Sequence, residues 1–339
     1  MAEKSIKVPL WLDCDPGNDD AVAILVAAFH DEFKLLGIST VHGNSSLTNT
    51  TNNALSLMTA LNRTDVPVYQ GFDSPLVLDP RHAPHIHGEL GLGGSNYLPK
   101  TEIGIKGKSE EMLKTVVSAI NNYPNEISLV AVGPLTNIAK LITKYPQVKS
   151  KIKYLSIMGG AVSERTWKIG EFNITCDPHA AHTVLTDPIL SSKTILIPSD
   201  LTHKAIAYDN IQKLILNEPN VTKLRRLFYE IITAFADAYK FNKGFLKGPP
   251  VHDPLAVVCL LSFYDLQNKN CNLLDFKYKR YKIDVIHGYA GTVDNGRVLL
   301  LEKANDGVLV GDDMNMKVFW DIVLDAIKVA DDFSKLREK

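Results

Sequence analysis

Short apolar segments alternate with helical stretches along most of this chain, and that alternation constrains the fold more than any other feature. Val8–Leu12, Leu35–Val41 and Ile127–Val132 are mainly apolar. Strands of this kind need apolar cover on both faces, which a parallel sheet receives from helices packed on either side. The sequence therefore predicts an α/β fold with a doubly wound, mostly parallel sheet and helices on both faces.

The remaining predicted elements keep this order until the last third of the chain. Strands are expected at Tyr154–Met158 and Thr194–Pro198, and helices at Asp20–Phe29, Asn53–Leu61 and Leu135–Ile142. In the last third we expect a hairpin over Ile283–Leu301 that turns at Asp294–Gly296, and then an amphipathic helix at Met316–Ala330. Length alone suggests about two domains. Because no stretch resembles a linker, we predict a single domain over residues 1–339.

Composition excludes several classes of partner. With 37 Lys and Arg against 38 Asp and Glu, the formal net charge is −1, whereas nucleic-acid binding needs a surplus of positive charge. The longest uncharged apolar run, Ala21–Phe29, has about half of the ~20 residues that span a bilayer. Met1–Ser5 show no apolar core of a signal peptide. We therefore expect no nucleic-acid or membrane partner, and a location in the cytoplasm with the nucleus as a second compartment. In such a compartment the four cysteines are expected to be reduced thiols: Cys14, Cys176, Cys259 and Cys271.

The loop after the first strand holds the densest group of reactive side chains. Four aspartates, Asp13, Asp15, Asp19 and Asp20, fall within eight residues and flank Pro16–Gly17. Two carboxylates ~4 Å apart repel by about 4 kcal/mol at an effective dielectric near ~20. A divalent cation removes that repulsion, so we interpret the loop as a metal site rather than a helix cap with a solvated acidic turn.

The ligand types indicate which cation this loop prefers. Oxygen ligands and the lack of paired thiolates favour Ca²⁺ or Mg²⁺ over zinc. The loop is not an EF-hand, because Asn18 and Ile24 stand where an EF-hand needs Gly and Glu. His82, His85 and His87 raise zinc as an alternative, but no Cys or carboxylate at a fitting spacing accompanies them.

Asp13–Asp20 resembles the signature of the nucleoside hydrolases, also called nucleoside N-ribohydrolases. Other segments match that family in the same order along the chain: Val41–Asn44, Ile86–Gly88, Gly133–Asn137, Met158–Gly160, Glu171–Asn173 and Gly248–Pro254. Each segment is weak evidence alone, but the ordered set extends over most of the chain. The resemblance implies the family's α/β fold and hydrolysis of the N-glycosidic bond of ribonucleosides.

The resemblance also implies a bound Ca²⁺, held by the side chains of Asp15, Asp20 and Asp253 and by the backbone carbonyl of Val132. Relatives often carry Thr at that last position, but a carbonyl ligand tolerates the change. The ribose 2′- and 3′-hydroxyls complete the metal shell, so the ion orients the substrate. A water bound at the ion has a lowered pKa, and Asp15 is expected to take its proton.

The family positions that hydrogen-bond the ribose fall on Asp19, Asn44, Glu171 and Asn173, and Met158 is expected to contact the substrate as well. Hydrogen bonds from the ribose hydroxyls to such groups discriminate steeply against deoxyribose. Glycosidic cleavage passes through an oxocarbenium-like state, whose positive charge a carboxylate-lined pocket stabilises.

Two histidines are placed to protonate the leaving base: His87 in a polar loop and His252 beside the ligand Asp253. Histidine suits general-acid catalysis near neutral pH and contributes about 10²- to 10⁴-fold. The presence of both resembles the uridine- and pyrimidine-preferring members of the family. The aromatic stretch Leu227–Phe245 is expected to be mostly core, with Tyr239 closing over the base.

One segment departs from the family. Relatives carry an Asn a few residues before Glu171 that contacts the 5′-hydroxyl, and this chain has no Asn in Ser163–Gly170. Arg165 and Lys168 in that segment suggest a hypothesis in which an anionic 5′ group is preferred. It fails if a nucleoside monophosphate is cleaved no better than its nucleoside.

Two other functions compete with the hydrolase interpretation. Asp13 and Asp15 at a strand end also suit a haloacid-dehalogenase-type phosphatase with Asp13 as the nucleophile, although Pro16–Gly17 departs from that pattern. A nucleoside-binding or sensing protein without turnover would keep the same pocket.

For the leading interpretation, the resemblance implies a homodimer or homotetramer, with a small ribonucleoside as the substrate.

Overall fold

One sheet organises the part of the chain described by this computed structural model, which is residues 7–101, 103–163, 170–264, 273–289, 291–292 and 294–334. Its strands are β1 Val8–Cys14, β2 Phe33–Thr40, β3 Val68–Gln70, β4 Ser128–Ala131, β5 Tyr154–Met158, β6 Thr194–Ile197, β7 Lys277–Val285, β8 Val298–Lys303 and β9 Val308–Asp313. The strand order is β3-β2-β1-β4-β5-β6-β9-β7-β8. From β3 to β9 all neighbours are parallel, and only β7 runs antiparallel to β9 and β8. The predicted mostly parallel α/β fold is confirmed.

Helices cover both faces of this sheet. They are α1 Asn18–Phe29, α2 Leu47–Ala60, α3 Pro84–His87, α4 Ser109–Asn122, α5 Thr136–Lys144, α6 Phe172–Cys176, α7 Pro178–Leu185, α8 Ser199–Thr202, α9 Asp209–Leu216, α10 Lys223–Lys243, α11 Pro254–Val258 and α12 Met316–Phe333. Short 3₁₀ helices lie at Pro146–Lys151, Ser191–Lys193 and Cys259–Ser262.

The alternation of side chains in β1 shows why the strands are apolar throughout. Leu10 and Leu12 point into the apolar cluster formed with α1, α2 and α10–α12, whereas Trp11 points into the opposite cluster with α4, α5 and α7. Each fully buried Leu contributes about 1.5–3 kcal/mol of transfer free energy. A strand covered on both faces therefore gains from apolar residues at odd and even positions alike.

The helix α1 is buried on almost every side. Of its residues only Ala28 is partly exposed, because the helix packs between the sheet and α10, α11 and α12. A helix enclosed in this way needs apolar residues all round rather than along one stripe, as Ala21–Ala27 provide. The loop before α1 is consequently held between two buried elements, β1 and α1.

The start of α2 differs from the sequence prediction by more than one turn. The helix expected from Asn53 begins at Leu47, because the side chain of Ser46 caps it by accepting from the backbone N–H of Asn49. Polar Asn and Thr residues fill this first turn, so the apolar periodicity starts only in the second half.

The C-terminal third also differs in part. The predicted hairpin is confirmed as β7 and β8, and the backbone N–H of Arg297 closes a turn on the carbonyl of Asp294. However, β7 starts at Lys277, and β9 was not predicted at all. Since β9 lies between β6 and β7 in the sheet, its place is set by a non-local pairing that residue patterns do not reveal.

The strand order places a crevice at the carboxyl end of β1. β1 lies between β2 and β4, and the residue pairs Asp13–Ser39 and Asp13–Ala131 align the ends of these three strands. From β1 the chain continues to β2 and β3 on one side, and later fills β4 to β6 on the other. Such a switch point opens a crevice between neighbouring loops, and this is where α/β sheets bind ligands.

Two further sequence expectations meet the structure here. None of the helices in the described ranges combines the length and apolarity needed to cross a membrane. Cys14, Cys176 and Cys259 are buried free thiols, as expected, and Cys271 lies outside the described residues. The single-domain assignment stays a prediction.

Candidate active site

A cavity of about 600 Å³ opens above the carboxyl ends of the central strands. It brings together segments from the whole chain, since its walls come from the loops after β1, β2, β4 and β5 and from α3, α10 and the start of α11. Most of the predicted site residues line it: Asp19, Asn44, His87, Val132, Met158, Glu171, Asn173, Tyr239, His252 and Asp253. Asp15 and Asp20 are fully buried and do not contribute to its surface.

Carboxylates are concentrated at one end of this cavity. Oxygens of Asp19, Asp20 and Asp253 lie within 4.8 Å of one another. Asp15 is predicted to bind the metal and Asp19 the ribose, whereas the structure places Asp19 in the cluster with Asp20 and Asp253 and Asp15 next to it. Asp15 remains near, since Oδ1 of Asp20 accepts from the backbone N–H of Asp15 at 3.1 Å.

The first loop is folded around Asp20 and Asn44. Oδ2 of Asp20 accepts from the backbone N–H of Gly17 at 2.9 Å and from the side-chain amide of Asn44 at 3.0 Å. The backbone N–H of Asn44 donates to Oδ2 of Asp15 at 2.7 Å. The loops after β1 and β2 are thereby joined, and these contacts fix the positions of the carboxylates.

The two oxygens of Asp15 have different surroundings. Oδ2 is used by Asn44, whereas Oδ1 is buried and has no hydrogen-bond partner among the described residues. Gly43 and Gly133 press against this carboxylate from two sides, because a Cβ at either position would lie 2.0 or 2.4 Å from its oxygens. The loop therefore leaves one carboxylate oxygen of Asp15 unsatisfied in a tightly enclosed place.

Burial and mutual repulsion raise the pKa of the acidic groups. The pKa of Asp15 is raised well above its usual range, first by desolvation and then by the charge of Asp20. Desolvation and the charges of Asp19 and Asp20 do the same to the pKa of Asp253. Burial raises the pKa of Asp19 to about 7. Several carboxylates packed this closely are costly unless protons or a cation balance them.

Glu171 and Asn173 extend the polar wall. The carboxylate of Glu171 caps α6 and accepts from the backbone N–H groups of Gly160, Asn173 and Ile174 at 3.0–3.2 Å. The side-chain amide of Asn173 donates to the carbonyl of Val132 at 2.8 Å. These contacts fix both side chains at the cavity wall.

The opposite end of the cavity is aromatic. Phe235 and Tyr239 of α10 pack edge to face at 4.7 Å, and they form a small apolar cluster with Ile86 and Phe172. In the aromatic stretch of α10, Phe228 and Phe235 are buried, Phe241 is largely exposed, and Tyr239 lines the cavity; that Tyr239 closes over the base stays a prediction. A planar ring fits between such apolar walls.

His252 lies between two hydroxyl groups. Its Nδ1 is 2.6 Å from Oγ1 of Thr202, and its Nε2 is 2.8 Å from the hydroxyl of Tyr239. Its backbone N–H donates to Asp19 at 3.1 Å, which joins it to the carboxylate end. Burial keeps the pKa of His252 well below its usual range, so the ring is neutral near pH 7.

His87 is the second histidine of the cavity and is stacked on Phe235, with ring centroids 5.3 Å apart. It lies at the end of the short helix α3, where the sequence analysis expected a loop. Desolvation lowers the pKa of His87 to about 3. At neutral pH this imidazole is therefore uncharged.

Three residues of this site were missed from the sequence. Phe235 belongs to a stripe that favours core packing, and nothing in the pattern singles it out. Thr202 precedes His203 in a segment that matches none of the family motifs named above. Asn18, which contacts His87, lies between the aspartates of the first loop, and those drew the attention. Arg165 and Lys168, proposed to favour an anionic 5′ group, lie outside the described residues.

Comparisons with known proteins agree with this geometry. The family description "inosine-uridine preferring nucleoside hydrolase" matches residues 10–325. The chain is 41% identical to a uridine nucleosidase of Saccharomyces cerevisiae, over 97% of this chain and 98% of that protein. It is 35% identical to the pyrimidine-specific ribonucleoside hydrolase RihA of a Shewanella species, over 77% and 80% of the two chains.

A solved structure shows the same architecture. The purine-preferring ribonucleoside hydrolase from Gardnerella vaginalis superposes with a TM-score of 0.81 at 25% identity, over 95% of this chain and 99% of that one. Together with the site, these similarities define the class: the chain belongs to the inosine-uridine preferring nucleoside hydrolase family. It is a nucleoside N-ribohydrolase, an enzyme that hydrolyses ribonucleosides.

Proposed function

We propose that this enzyme is a Ca²⁺-dependent hydrolase that cleaves uridine in preference to other ribonucleosides. The observation that carries the proposal is a cavity with clustered buried carboxylates at one end and aromatic rings at the other. The yeast relative is a uridine nucleosidase and RihA is pyrimidine-specific, which supports a pyrimidine base. The neighbour from Gardnerella is purine-preferring, so the fold alone does not choose the base.

The residues present fit a hard divalent cation. All the side-chain donors are carboxylate oxygens, the ligands that Ca²⁺ prefers, and Oδ1 of Asp15 is buried without a partner among the described residues. Asp15, Asp20 and Asp253 would hold the ion together with the carbonyl of Val132. That carbonyl accepts from Asn173 but keeps a second lone pair.

When bound, the cation would supply a Lewis acid that makes water more acidic and offsets the carboxylate charge. Asp15 is the proposed base for the attacking water, the role that the family resemblance implies, and Asn44 fixes its orientation by donating to Oδ2. A bound cation would offset the desolvation and the charge of Asp20 that raise the pKa of Asp15 in the free site, so that its carboxylate stays ionised and able to accept a proton. The carboxylate of Asp19, at the cavity surface, stabilises positive charge on the ribose ring.

Asn44 and Asn173 are proposed to bind the ribose as hydrogen-bond acceptors. The amide nitrogen of Asn44 donates to the carbonyl of Asp15 and to Asp20, and that of Asn173 donates to the carbonyls of Val132 and Met158. Their Oδ1 atoms remain to accept from ribose hydroxyls, alongside Asp19 and Glu171. A sugar that lacks a hydroxyl leaves these buried acceptors unpaired, which is costly.

At the aromatic end, His252, Tyr239 and His87 are proposed to serve the leaving base. With Thr202 donating to Nδ1 of His252, the imidazole proton resides on Nε2 and is donated to the oxygen of Tyr239. Tyr239 then gives its own proton to the base, and the phenolate that remains accepts the hydrogen bond of Nε2–H until water returns a proton to it. His87 contacts the base through Nε2, since Asn18 occupies its Nδ1.

The test is base release from uridine, cytidine, inosine, adenosine and deoxyuridine, measured on purified protein with Ca²⁺, with Mg²⁺ and after chelation. We expect the fastest release from uridine, a loss on chelation that Ca²⁺ restores, and deoxyuridine cleaved about 10³-fold more slowly or worse. Equal rates with uridine and inosine would remove the uridine preference. Full activity in a strong chelator would remove the Ca²⁺ requirement.

Two further expectations belong to this proposal. A homodimer or homotetramer is inferred from the family resemblance, and light scattering on a sizing column measures it directly. The hypothesis of an anionic 5′ group at Arg165 and Lys168 is tested by comparing uridine with its 5′-monophosphate. The cytoplasmic and nuclear locations stay predictions.

A further inference from the structure

Asn18, the first residue of α1, is tied to three other segments of the chain. Its side chain is buried, and its amide nitrogen donates to the carbonyl of Ile231 at 2.9 Å and to that of Gly93 at 3.3 Å. Because both partners are acceptors, the amide nitrogen must point to them and Oδ1 must point away. Oδ1 then lies 3.1 Å from Nδ1 of His87.

The imidazole of His87 is also held from other directions. Since Oδ1 of Asn18 is an acceptor, Nδ1 carries the imidazole proton and donates it there, and Nε2 is the acceptor nitrogen of the ring. The backbone N–H of Asn18 lies 3.3 Å from the same Nδ1 and adds no second bond in this tautomer. A Cβ on Gly17 would lie 2.5 Å from this nitrogen, so glycine leaves the room that the ring occupies. The ring face stacks on Phe235 at an interplanar angle of 29°. One edge and one face of the imidazole are therefore fixed.

His87 separates two cavities. It lines the large cavity and also a smaller one of about 230 Å³, which Asn18 lines together with α10 and Gly93–Gly94. Nε2 of His87 makes no hydrogen bond with any described residue, so it is available to a ligand. A ring released from Asn18 would have space to turn toward the smaller cavity.

We propose that Asn18 is a positioning residue, which anchors Nδ1 of His87 at the start of α1 and thereby keeps Nε2 directed at the leaving base. The inference rests on the function proposed above, in which His87 contacts the base. It links the two ends of the cavity, because the loop that carries Asp15 and Asp19 also orients a group at the aromatic end.

A double-mutant cycle tests this inference. We expect Asn18→Ala and His87→Ala each to lower kcat for uridine about 10- to 100-fold, because a misplaced group loses most of its contribution. The double variant should be no slower than His87→Ala by more than about twofold, since Asn18 acts through His87. If the two losses multiply, Asn18 is merely structural and the inference fails.

Asn53→Ala is the matched control for the cycle. Its amide nitrogen also joins two carbonyls in the same region, those of Pro16 and Leu90, but it does not contact His87. Any loss caused by Asn53→Ala should multiply with that of His87→Ala. Asn18→Ser provides a smaller perturbation if Asn18→Ala does not fold.

Imidazole ¹⁵N chemical shifts of His87 give a readout that does not depend on turnover. We expect them to change in Asn18→Ala and Asn18→Ser and to stay unchanged in Asn53→Ala. Unchanged shifts in the Asn18 variants would overturn the inference. If His87→Ala keeps full activity, the role proposed for His87 in the reaction fails, while these shifts still decide whether Asn18 positions its ring.

Discussion

The two ends of the cavity are built in different ways. The carboxylate end consists of loops that follow neighbouring parallel strands, and Asp15, Asp20 and Asn44 bind one another through short backbone and side-chain contacts. The aromatic end consists of Phe235 and Tyr239 on α10, which face His87 at the end of α3 and His252 in the loop before α11. The first end is fixed by hydrogen bonds between neighbouring loops, and the second by ring packing together with hydrogen bonds to groups far away in the sequence.

This difference separates two tasks. The carboxylate end meets a part of the substrate common to all ribonucleosides, so it needs fixed acceptors at fixed places. The aromatic end meets the base, which differs between substrates. Substitutions at the carboxylate end are therefore expected to remove activity towards every ribonucleoside. The loss of activity caused by substitutions at the aromatic end should depend on the leaving group of the substrate.

The largest effect is expected for Asp15→Asn. An amide cannot take the proton of the attacking water, so kcat for uridine should fall about 10³- to 10⁴-fold. The matched variant Asp13→Asn changes a carboxylate of the same loop that is bound by Ser39 and Asn137 away from the cavity. Steady-state rates of both variants check this, and equal losses would mean that Asp15 has no special part.

Tyr239→Phe and His252→Ala should come next, with losses of about 10²- to 10³-fold for uridine. These losses should nearly vanish with 4-nitrophenyl riboside, because nitrophenolate leaves without a proton. A comparison of kcat for the two substrates checks the prediction. If both substrates slow equally, these residues do not serve the leaving base.

A smaller effect is expected for Thr202→Val, which keeps the shape of the side chain but removes the hydroxyl next to His252. We expect about a tenfold loss of kcat with uridine, little change with 4-nitrophenyl riboside, and recovery of most activity in Thr202→Ser. Loss in both variants would indicate a packing effect instead. Melting temperatures of the two proteins control for stability.

The smallest effect concerns stability. Binding at a concentration of ~100 Kd stabilises by about 2.7 kcal/mol, which corresponds to roughly 5 °C in melting temperature. Because burial raises the pKa of Asp19 to about 7, the free site holds protons at low pH that Ca²⁺ must displace. The shift caused by Ca²⁺ should therefore grow as the pH rises from 5 to 8.

Scanning fluorimetry with Ca²⁺ or chelator at each pH measures that shift. The difference in melting temperature between the Ca²⁺ and chelator samples at one pH cancels the contribution of groups that the ion does not contact. His42, whose pKa is lowered to about 4 by burial, is such a group. In the chelated protein, carboxylates with a raised pKa bind more protons in the folded state than in the unfolded state, where their pKa is near ~3.9. The free energy of unfolding therefore decreases as the pH rises above ~3.9. A shift that shrinks as the pH rises would contradict a carboxylate site.

The carboxylate end was predictable in two ways. The spacing of the aspartates in Asp13–Asp20 is visible directly, whereas Asn44, Val132 and Asp253 were assigned from the resemblance to the nucleoside hydrolases. The sequence pattern does not show which carboxylates lie closest together. Asp19 clusters with Asp20 and Asp253, because the orientation of each side chain depends on contacts with Asn44 and His252.

The aromatic end was predictable only in part. Tyr239 and His252 were named, but the contacts of His252 with Tyr239 and Thr202 join three segments that are distant in sequence, α10, α8 and the loop before α11. Asn18 shows the same limit, because its partners at Gly93 and Ile231 are distant in sequence. The sheet order was missed where β9 enters between β6 and β7, a pairing that local periodicity does not encode.

The enclosure of α1 has a consequence for how this enzyme moves. Residues Asp13–Ala27 are almost free of solvent contact, so their amide protons should exchange only in rare, large openings of the whole structure. The reacting loop thus belongs to the most persistent part of the molecule. The end of α10 and the turn after it contrast with this loop, since Phe241 and Leu246 beyond Tyr239 are largely exposed and their amide protons should exchange far sooner.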